Sequence, residues 1–173
     1  QDQDLILGDI SFNNLVLLIN GGDAQSALMT GQDATFPSND VPVNLSIFPA
    51  TYAIDVNNDG LQDLITAPNE PKSQTKNQVW AYLNKGTSEN SRFERQTQNF
   101  LSEEMIDVGE GAYPAFVDYN SDGLMDFVVG HKGDLNTETQ FYENARLALF
   151  ENIGTLEKPA FQLVDEDYFN MSQ

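Results

Sequence analysis

Two stretches carry residues whose types and spacing can do chemistry: Asp55-Val56-Asn57-Asn58-Asp59-Gly60-Leu61-Gln62-Asp63 and Asp118-Tyr119-Asn120-Ser121-Asp122-Gly123-Leu124-Met125-Asp126. Both read D-x-N-x-D-G-L-x-D. Side-chain oxygens at alternate positions of a tight loop can converge on one point, and a glycine in sixth place permits the positive φ that folds the loop back. The chemistry this suggests is calcium coordination, since calcium is a hard cation that takes roughly six to eight oxygen donors. Zinc or copper would favour imidazole or thiolate, and the chain has no cysteine and a single histidine.

The ligands expected of the first loop are the side chains of Asp55, Asn57, Asp59 and Asp63 with the carbonyl of Leu61. Those of the second are Asp118, Asn120, Asp122 and Asp126 with the carbonyl of Leu124. Three carboxylates in so short a span repel one another, and a divalent cation relieves most of that repulsion. The competing reading is a metal-free Asx turn that caps a hairpin. Recurrence of the same pattern at equivalent places favours the metal. An EF-hand shares the opening D-x-N-x-D-G, but its twelfth position is a bidentate glutamate and its flanks are helices. Here the twelfth positions are Thr66 and Val129, and the flanks read as strands, so the closing ligand is the ninth-position Asp.

The elements that must hold these loops are short. Pro49-Ala50-Thr51-Tyr52-Ala53-Ile54 runs into the first loop and Ala112-Tyr113-Pro114-Ala115-Phe116-Val117 into the second. Leu64-Ile65-Thr66 and Phe127-Val128-Val129 leave them as β-branched or aromatic runs. Val79 to Leu83 is a plausible inner strand, and 91–96 and 159–164 complete a four-strand unit. Only 101–106 and 143–148 could pass for a helical turn or two. The polar connection from Asn69 to Gln78, with Pro71, Lys72 and Lys76, reads as a loop. Residues 23–48 read as a long polar excursion with turn chemistry at Phe36-Pro37-Ser38-Asn39-Asp40, of a length that is either functional or mobile.

Internal repetition organises the whole. Gln3-Asp4-Leu5-Ile6-Leu7-Gly8 lines up with Gln62-Asp63-Leu64-Ile65-Thr66-Ala67 and Met125-Asp126-Phe127-Val128-Val129-Gly130, so Asp4 stands as the last ligand of a third loop, of which only a remnant remains. Leu17-Leu18-Ile19-Asn20-Gly21-Gly22 resembles the stretches through Asn84-Lys85-Gly86 and Asn152-Ile153-Gly154, each a strand ending in a glycine turn. Units repeated in this way form an array that buries faces between neighbours. The chain is expected to begin inside a repeat.

Composition narrows the partners. With 40% apolar residues the chain can build a core, and a formal charge of −19 repels nucleic acid and anionic membrane surfaces. Cations are the expected partners. The longest apolar run, Leu15 to Ile19, is far too short to span a membrane, and no signal-like segment opens the chain. Extracellular fluid carries enough calcium to fill modest sites, which points to a secreted or cell-surface setting.

The loop between strands, D-x-[DN]-x-D-G-x-x-D-[LF]-[IV], resembles the FG-GAP or VCBS repeat, the calcium-bearing blade also found in integrin α-subunit propellers. Leu7-Gly8-Asp9-Ile10-Ser11, Phe36-Pro37-Ser38, residues 109–116 and residues 149–155 are similar to phrases in large secreted Bacteroidota proteins that carry such repeats, often with type IX secretion signals. The resemblance implies an all-β fold: β-propeller blades of four-stranded antiparallel sheets with calcium in an inter-strand loop. About three blades are visible: a partial blade with a long polar loop over 1–54, and calcium-loop blades over 55–117 and 118–173, all in one propeller segment. Three blades do not close a ring that usually has roughly four to eight, so the remaining blades are expected in a longer chain or an assembly.

Other residues offer less. His131 lacks a partner nucleophile or orienting acid and reads as a surface or turn residue. A glycosidase pair can be drawn from Glu103, Glu104 and Glu110, as from many acids in so acidic a chain. Trp80, Tyr82, Phe93 and Tyr113 suit a sugar-stacking platform but at strand spacing read as core. Asn44-Leu45-Ser46 and Asn170-Met171-Ser172 fit a glycosylation pattern common by chance. The expectation is a non-enzymatic, calcium-stabilised module acting in adhesion or in binding a protein or glycan ligand, with no nucleic acid and no membrane insertion. The alternative is a non-catalytic accessory module of a secreted hydrolase.

Overall fold

The computed structural model describes residues 3–70, 76–136 and 138–172. Pro71 and Lys72 of the polar connection and the terminal Gln173 lie outside these. The described residues form strands, turns and bends with no helix, and their contacts divide them into two units. One comprises residues 3–70 and 77–105, the other Lys76 and residues 106–172.

The first unit holds two antiparallel sheets. Strands β1 (Leu5–Gly8), β2 (Leu15–Asn20) and β3 (Met29–Phe36) form one in the order β1-β2-β3. Strands β4 (Pro49–Ile54), β5 (Asp63–Pro68), β6 (Trp80–Asn84) and β7 (Phe93–Thr97) form a four-stranded meander in chain order. Inner strand β6 buries Trp80, Ala81 and Tyr82 in succession, as a strand covered on both faces must. Leu15 of β2 and Phe36 of β3 join Leu64, Trp80, Tyr82 and Phe93 in one core, with Phe36 and Phe93 edge to face at 5.7 Å. Such a pair adds about 0.5–1.5 kcal/mol beyond its area.

Two expectations change here. The excursion over 23–48 is not loop throughout, because Met29–Phe36 pairs with β2, and Val43 and Leu45 are buried in the core. Its polar residues concealed a strand whose side chains are mostly exposed. The sheet carrying the first loop begins at Pro49 rather than at residue 55, because Pro49–Ile54 pairs in register with β5 from Pro49↔Pro68 to Ile54↔Asp63.

In the second unit, β8 (Tyr113–Val117), β9 (Asp126–His131), β12 (Arg146–Asn152) and β13 (Phe161–Asp165) form a four-stranded antiparallel sheet in the spatial order β13-β12-β9-β8. The strand before the second loop, like β4, belongs to the sheet the loop serves, so this sheet begins at Tyr113 rather than at residue 118. A hairpin of β10 (Asp134–Asn136) and β11 (Phe141–Glu143) is inserted between β9 and β12. Phe127 centres the core, stacked on Phe150 at 4.8 Å and edge-on to Phe161 at 4.8 Å. The helical alternatives resolve into turns at 101–104, and into the end of β11 and the start of β12. The chain is thus all-β, with open four-stranded antiparallel sheets of the blade type.

Candidate metal loops and the buried Asp–Asn link

Each loop connects the first two strands of its sheet, β4 to β5 and β8 to β9. Gly60 and Gly123 take φ of +88° and +87°, with nothing within 4 Å of where a Cβ would stand. Glycine is therefore required by conformation alone, not by crowding. Asn58 and Ser121, in the fourth position, are also left-handed, at 60° and 63°.

The side chains close the loops on themselves. The Asp59 N–H donates to Asp55 Oδ1 (3.2 Å) and Asn57 Oδ1 (2.9 Å), the Gly60 N–H to Asp55 Oδ2 (2.9 Å), and the Leu61 N–H to Asp59 Oδ1 (2.9 Å). The second loop repeats the set: the Asp122 N–H donates to Asp118 Oδ1 (3.1 Å) and Asn120 Oδ1 (3.0 Å), Gly123 N–H to Asp118 Oδ2 (3.1 Å), and Leu124 N–H to Asp122 Oδ1 (2.7 Å). These are stacked Asx turns. The Leu61 N–H, followed by the Asn57 amide, holds the exposed Asp59 carboxyl below the usual carboxylate range.

Asp63 and Asp126, the ninth-position residues, are wholly buried. Each carboxylate bridges two places. Asp63 Oδ2 accepts from the Val56 N–H of its own loop (3.1 Å), and Oδ1 accepts from the Asn84 N–H at the end of β6 (2.8 Å). Asp126 does the same with Tyr119 N–H (3.1 Å) and Asn152 N–H (2.7 Å). Asp4 keeps the second half of this arrangement, accepting from Asn20 N–H at 2.8 Å.

The asparagine continues the link. Asn84 Oδ1 accepts from Gly86 N–H (2.9 Å) and Arg92 N–H (3.0 Å). Asn20 holds Gly22 and Leu28 in the same way, and Asn152 holds Gly154 and Ala160. All three asparagines are buried. A Cβ on Gly86 would stand 2.2 Å from the Asn90 carbonyl oxygen, so the turn after the asparagine closes only around glycine. Sequence reasoning marked these asparagines as strand ends but missed their role; the recurring Asn-x-Gly after an apolar strand was the available signal.

Among the described residues, no three carboxylate or imidazole side chains are gathered at metal-binding spacing. The geometric reason is visible in the turns, where the carboxylates face backbone N–H groups. The donor set still fits calcium chemically: it is all oxygen, and each carboxylate oxygen retains a second lone pair. The two loops differ in one respect. Asn120 Nδ2 also donates to Glu151 Oε1 (3.0 Å), and the residue in that position beside the first loop is Leu83.

Of the remaining candidates, Glu110 and His131 line one cavity. Trp80, Tyr82 and Phe93 are core, whereas Tyr113 is 75% exposed on β8, so the four do not form a platform. Glu103 and Glu104 lie on an exposed turn, and Glu110 pairs with Lys132 at 2.7 Å. His131 ends β9, and its Nδ1 accepts from the Gly133 N–H (3.2 Å). The described residues contain no helix long and apolar enough to cross a membrane.

No curated protein and no solved structure gives a significant match to the chain. The family comparison agrees with the repeat seen in the coordinates: residues 55–129, from the first position of the first loop through the second loop and into β9, match the FG-GAP-like repeat.

Proposed function

We propose that the chain is a calcium-stabilised β-propeller module of a secreted or cell-surface protein, acting in adhesion or in binding a protein or glycan ligand. The observation that carries this reading is the recurrence of one set of within-loop hydrogen bonds in two D-x-N-x-D-G-L-x-D loops, inside a segment that matches the FG-GAP-like repeat. Asp55, Asn57, Asp59 and Asp63, with the Leu61 carbonyl, would hold one ion. Asp118, Asn120, Asp122 and Asp126, with the Leu124 carbonyl, would hold the other, and Asp4 takes the place of the ninth-position Asp in the first sheet. Bound calcium supplies positive charge that offsets the crowded carboxylates, a structural rather than catalytic contribution. The chain's own part is to present the oxygens on short strand connections and to anchor the ninth-position Asp through a buried backbone N–H. Loops at one face would present the ligand-binding surface, and further blades would be the structural partners.

Calorimetric titration with calcium tests the metal reading. Wild type should bind two ions, Asp59→Ala and Asp122→Ala one each, and chelation should lower the melting temperature, because a ligand that binds only the folded form stabilises it by mass action. Unchanged stoichiometry in both variants, or a melting curve indifferent to chelator, removes the proposal.

A further inference from the structure

The two loops share their internal bonds and their expected ligands, but the strand that backs each one presents different residues. The buried asparagine that closes the sheet stands in Leu83-Asn84-Lys85 beside the first loop and in Glu151-Asn152-Ile153 beside the second. Register makes these flanks equivalent. Leu83 pairs with Glu94 of β7 and Glu151 with Gln162 of β13, each one position before the asparagine whose N–H bonds the ninth-position Asp. Beside a cation site, a glutamate and a lysine have opposite effects.

The glutamate acts on orientation. Asn57 Nδ2 donates to Asp59 Oδ2 (2.9 Å), itself an expected ligand, and has no other acceptor among the described residues. Asn120 Nδ2 donates to Asp122 Oδ2 (3.0 Å) in the same way, and also to Glu151 Oε1 (3.0 Å), which is not an expected ligand. An Asp carboxylate committed to an ion has less to offer a neighbouring amide, so Asn57 loses its hold while Asn120 keeps one. The amide of Asn120 is thereby fixed from a strand, with Oδ1 turned into the loop. Strand β12 holds the third- and ninth-position ligands through consecutive residues, Glu151 and Asn152. Groups that orient a metal ligand in this way change affinity by roughly 10–100-fold.

Charge works in the same direction. Lys85 lies close enough to the first loop for its charge to help hold the Asp59 carboxyl below the usual range, after the Leu61 N–H and the Asn57 amide, and a positive charge there opposes a second one. Ile153 takes its place beside the second loop, where the added charge is the negative one of Glu151. We propose that the two loops are unequal calcium sites, the second filling at concentrations that leave the first empty, with Glu151 as the positioning residue that sets the difference. This rests on the calcium reading above and adds a rank order to it.

Single-site proteins measure the two affinities separately. Asp59→Ala leaves the second loop intact and Asp122→Ala the first, and each would be titrated with calcium chloride by calorimetry. The second loop should bind at least about tenfold more tightly. Glu151→Leu, added to Asp59→Ala, gives the second loop the residue found beside the first and should remove most of that advantage. Glu151→Gln still offers an oxygen to the Asn120 amide and should keep most of it. Leu83→Glu, added to Asp122→Ala, should tighten the first loop, a gain that damage to the fold cannot mimic. Equal affinities, a Glu151→Leu protein as tight as its parent, a Gln variant as weak as the Leu one, or a first loop indifferent to Leu83→Glu overturns the proposal while leaving calcium binding in place. No calcium uptake by either single-site protein removes instead the metal reading on which it rests.

Discussion

Asn84→Ala isolates the buried link from the metal chemistry, because Asn84 is not among the loop ligands. The substitution removes the oxygen that accepts from Gly86 N–H at 2.9 Å and Arg92 N–H at 3.0 Å, at a residue only 2% exposed. A donor left unpaired away from water costs about 1–3 kcal/mol, and both groups here are partly buried, so a loss of about 2–4 kcal/mol is expected. That is a large share of the roughly 5–15 kcal/mol that stabilises a typical domain. Urea unfolding followed by fluorescence of Trp80, the single tryptophan and a member of the same strand, would read it. With an m-value of about 2 kcal/mol/M, the midpoint should fall by about 1–2 M at unchanged slope. Ser91→Ala serves as the control, since it removes only the 3.3 Å partner of the Asn84 amide and should cost less than about 0.5 kcal/mol. If Asn84→Ala costs no more than Ser91→Ala, the reasoning that makes this asparagine the closing element of the sheet is wrong.

Three further outcomes are expected. Tyr82→Phe should be neutral or slightly stabilising in the same urea assay, because the fully buried Tyr82 hydroxyl has no hydrogen-bond partner and its removal leaves nothing unpaired; a loss above about 1 kcal/mol would reveal a partner for that hydroxyl. Gly86→Ala should lower stability by more than about 2 kcal/mol, because the new methyl would meet backbone 2.2 Å away, whereas an exposed Gly→Ala change elsewhere should alter it little. Asp167 is held below the usual carboxylate range by Ser172 Oγ–H first, then by the Ser172 and Met171 N–H groups. A depressed carboxylate contributes its stabilisation above the unfolded value of 3.8 and loses it as pH falls through the folded one, so the amide shifts of Met171 and Ser172 should change with a midpoint below 3.8. A midpoint above 3.8 would contradict the bonding.

The glycine-bearing loops and their flanking strands were legible because each position carries a local demand: positive φ at Gly60 and Gly123, alternating acceptors before them, β-branched residues after. The four-strand unit followed from repetition. What stayed hidden depends on contacts distant in sequence. β3 is polar along most of its length and is strand because β2 offers it a ladder; only Phe36 at its end enters the core. The β10–β11 hairpin is too short for periodicity to register. The arrangement of each carboxylate within the loops was less legible still, since Asp and Asn serve an Asx turn and a cation with the same atoms. Blade limits were misplaced because the loop was read as the start of a unit, when it is the bend between two strands of the same sheet.

The Asp–Asn link spans 16 residues in the first sheet, 21 in the second and 26 in the third, yet the same bond closes all three. The intervening chain therefore acts as a variable bay clipped at both ends by fixed hardware. In the third sheet that bay has already been filled, by the β10–β11 hairpin, without altering how the strand beyond it docks. New sequence inserted there need not solve the folding problem again. A repeat built this way separates the part that must be copied faithfully from the part free to diversify.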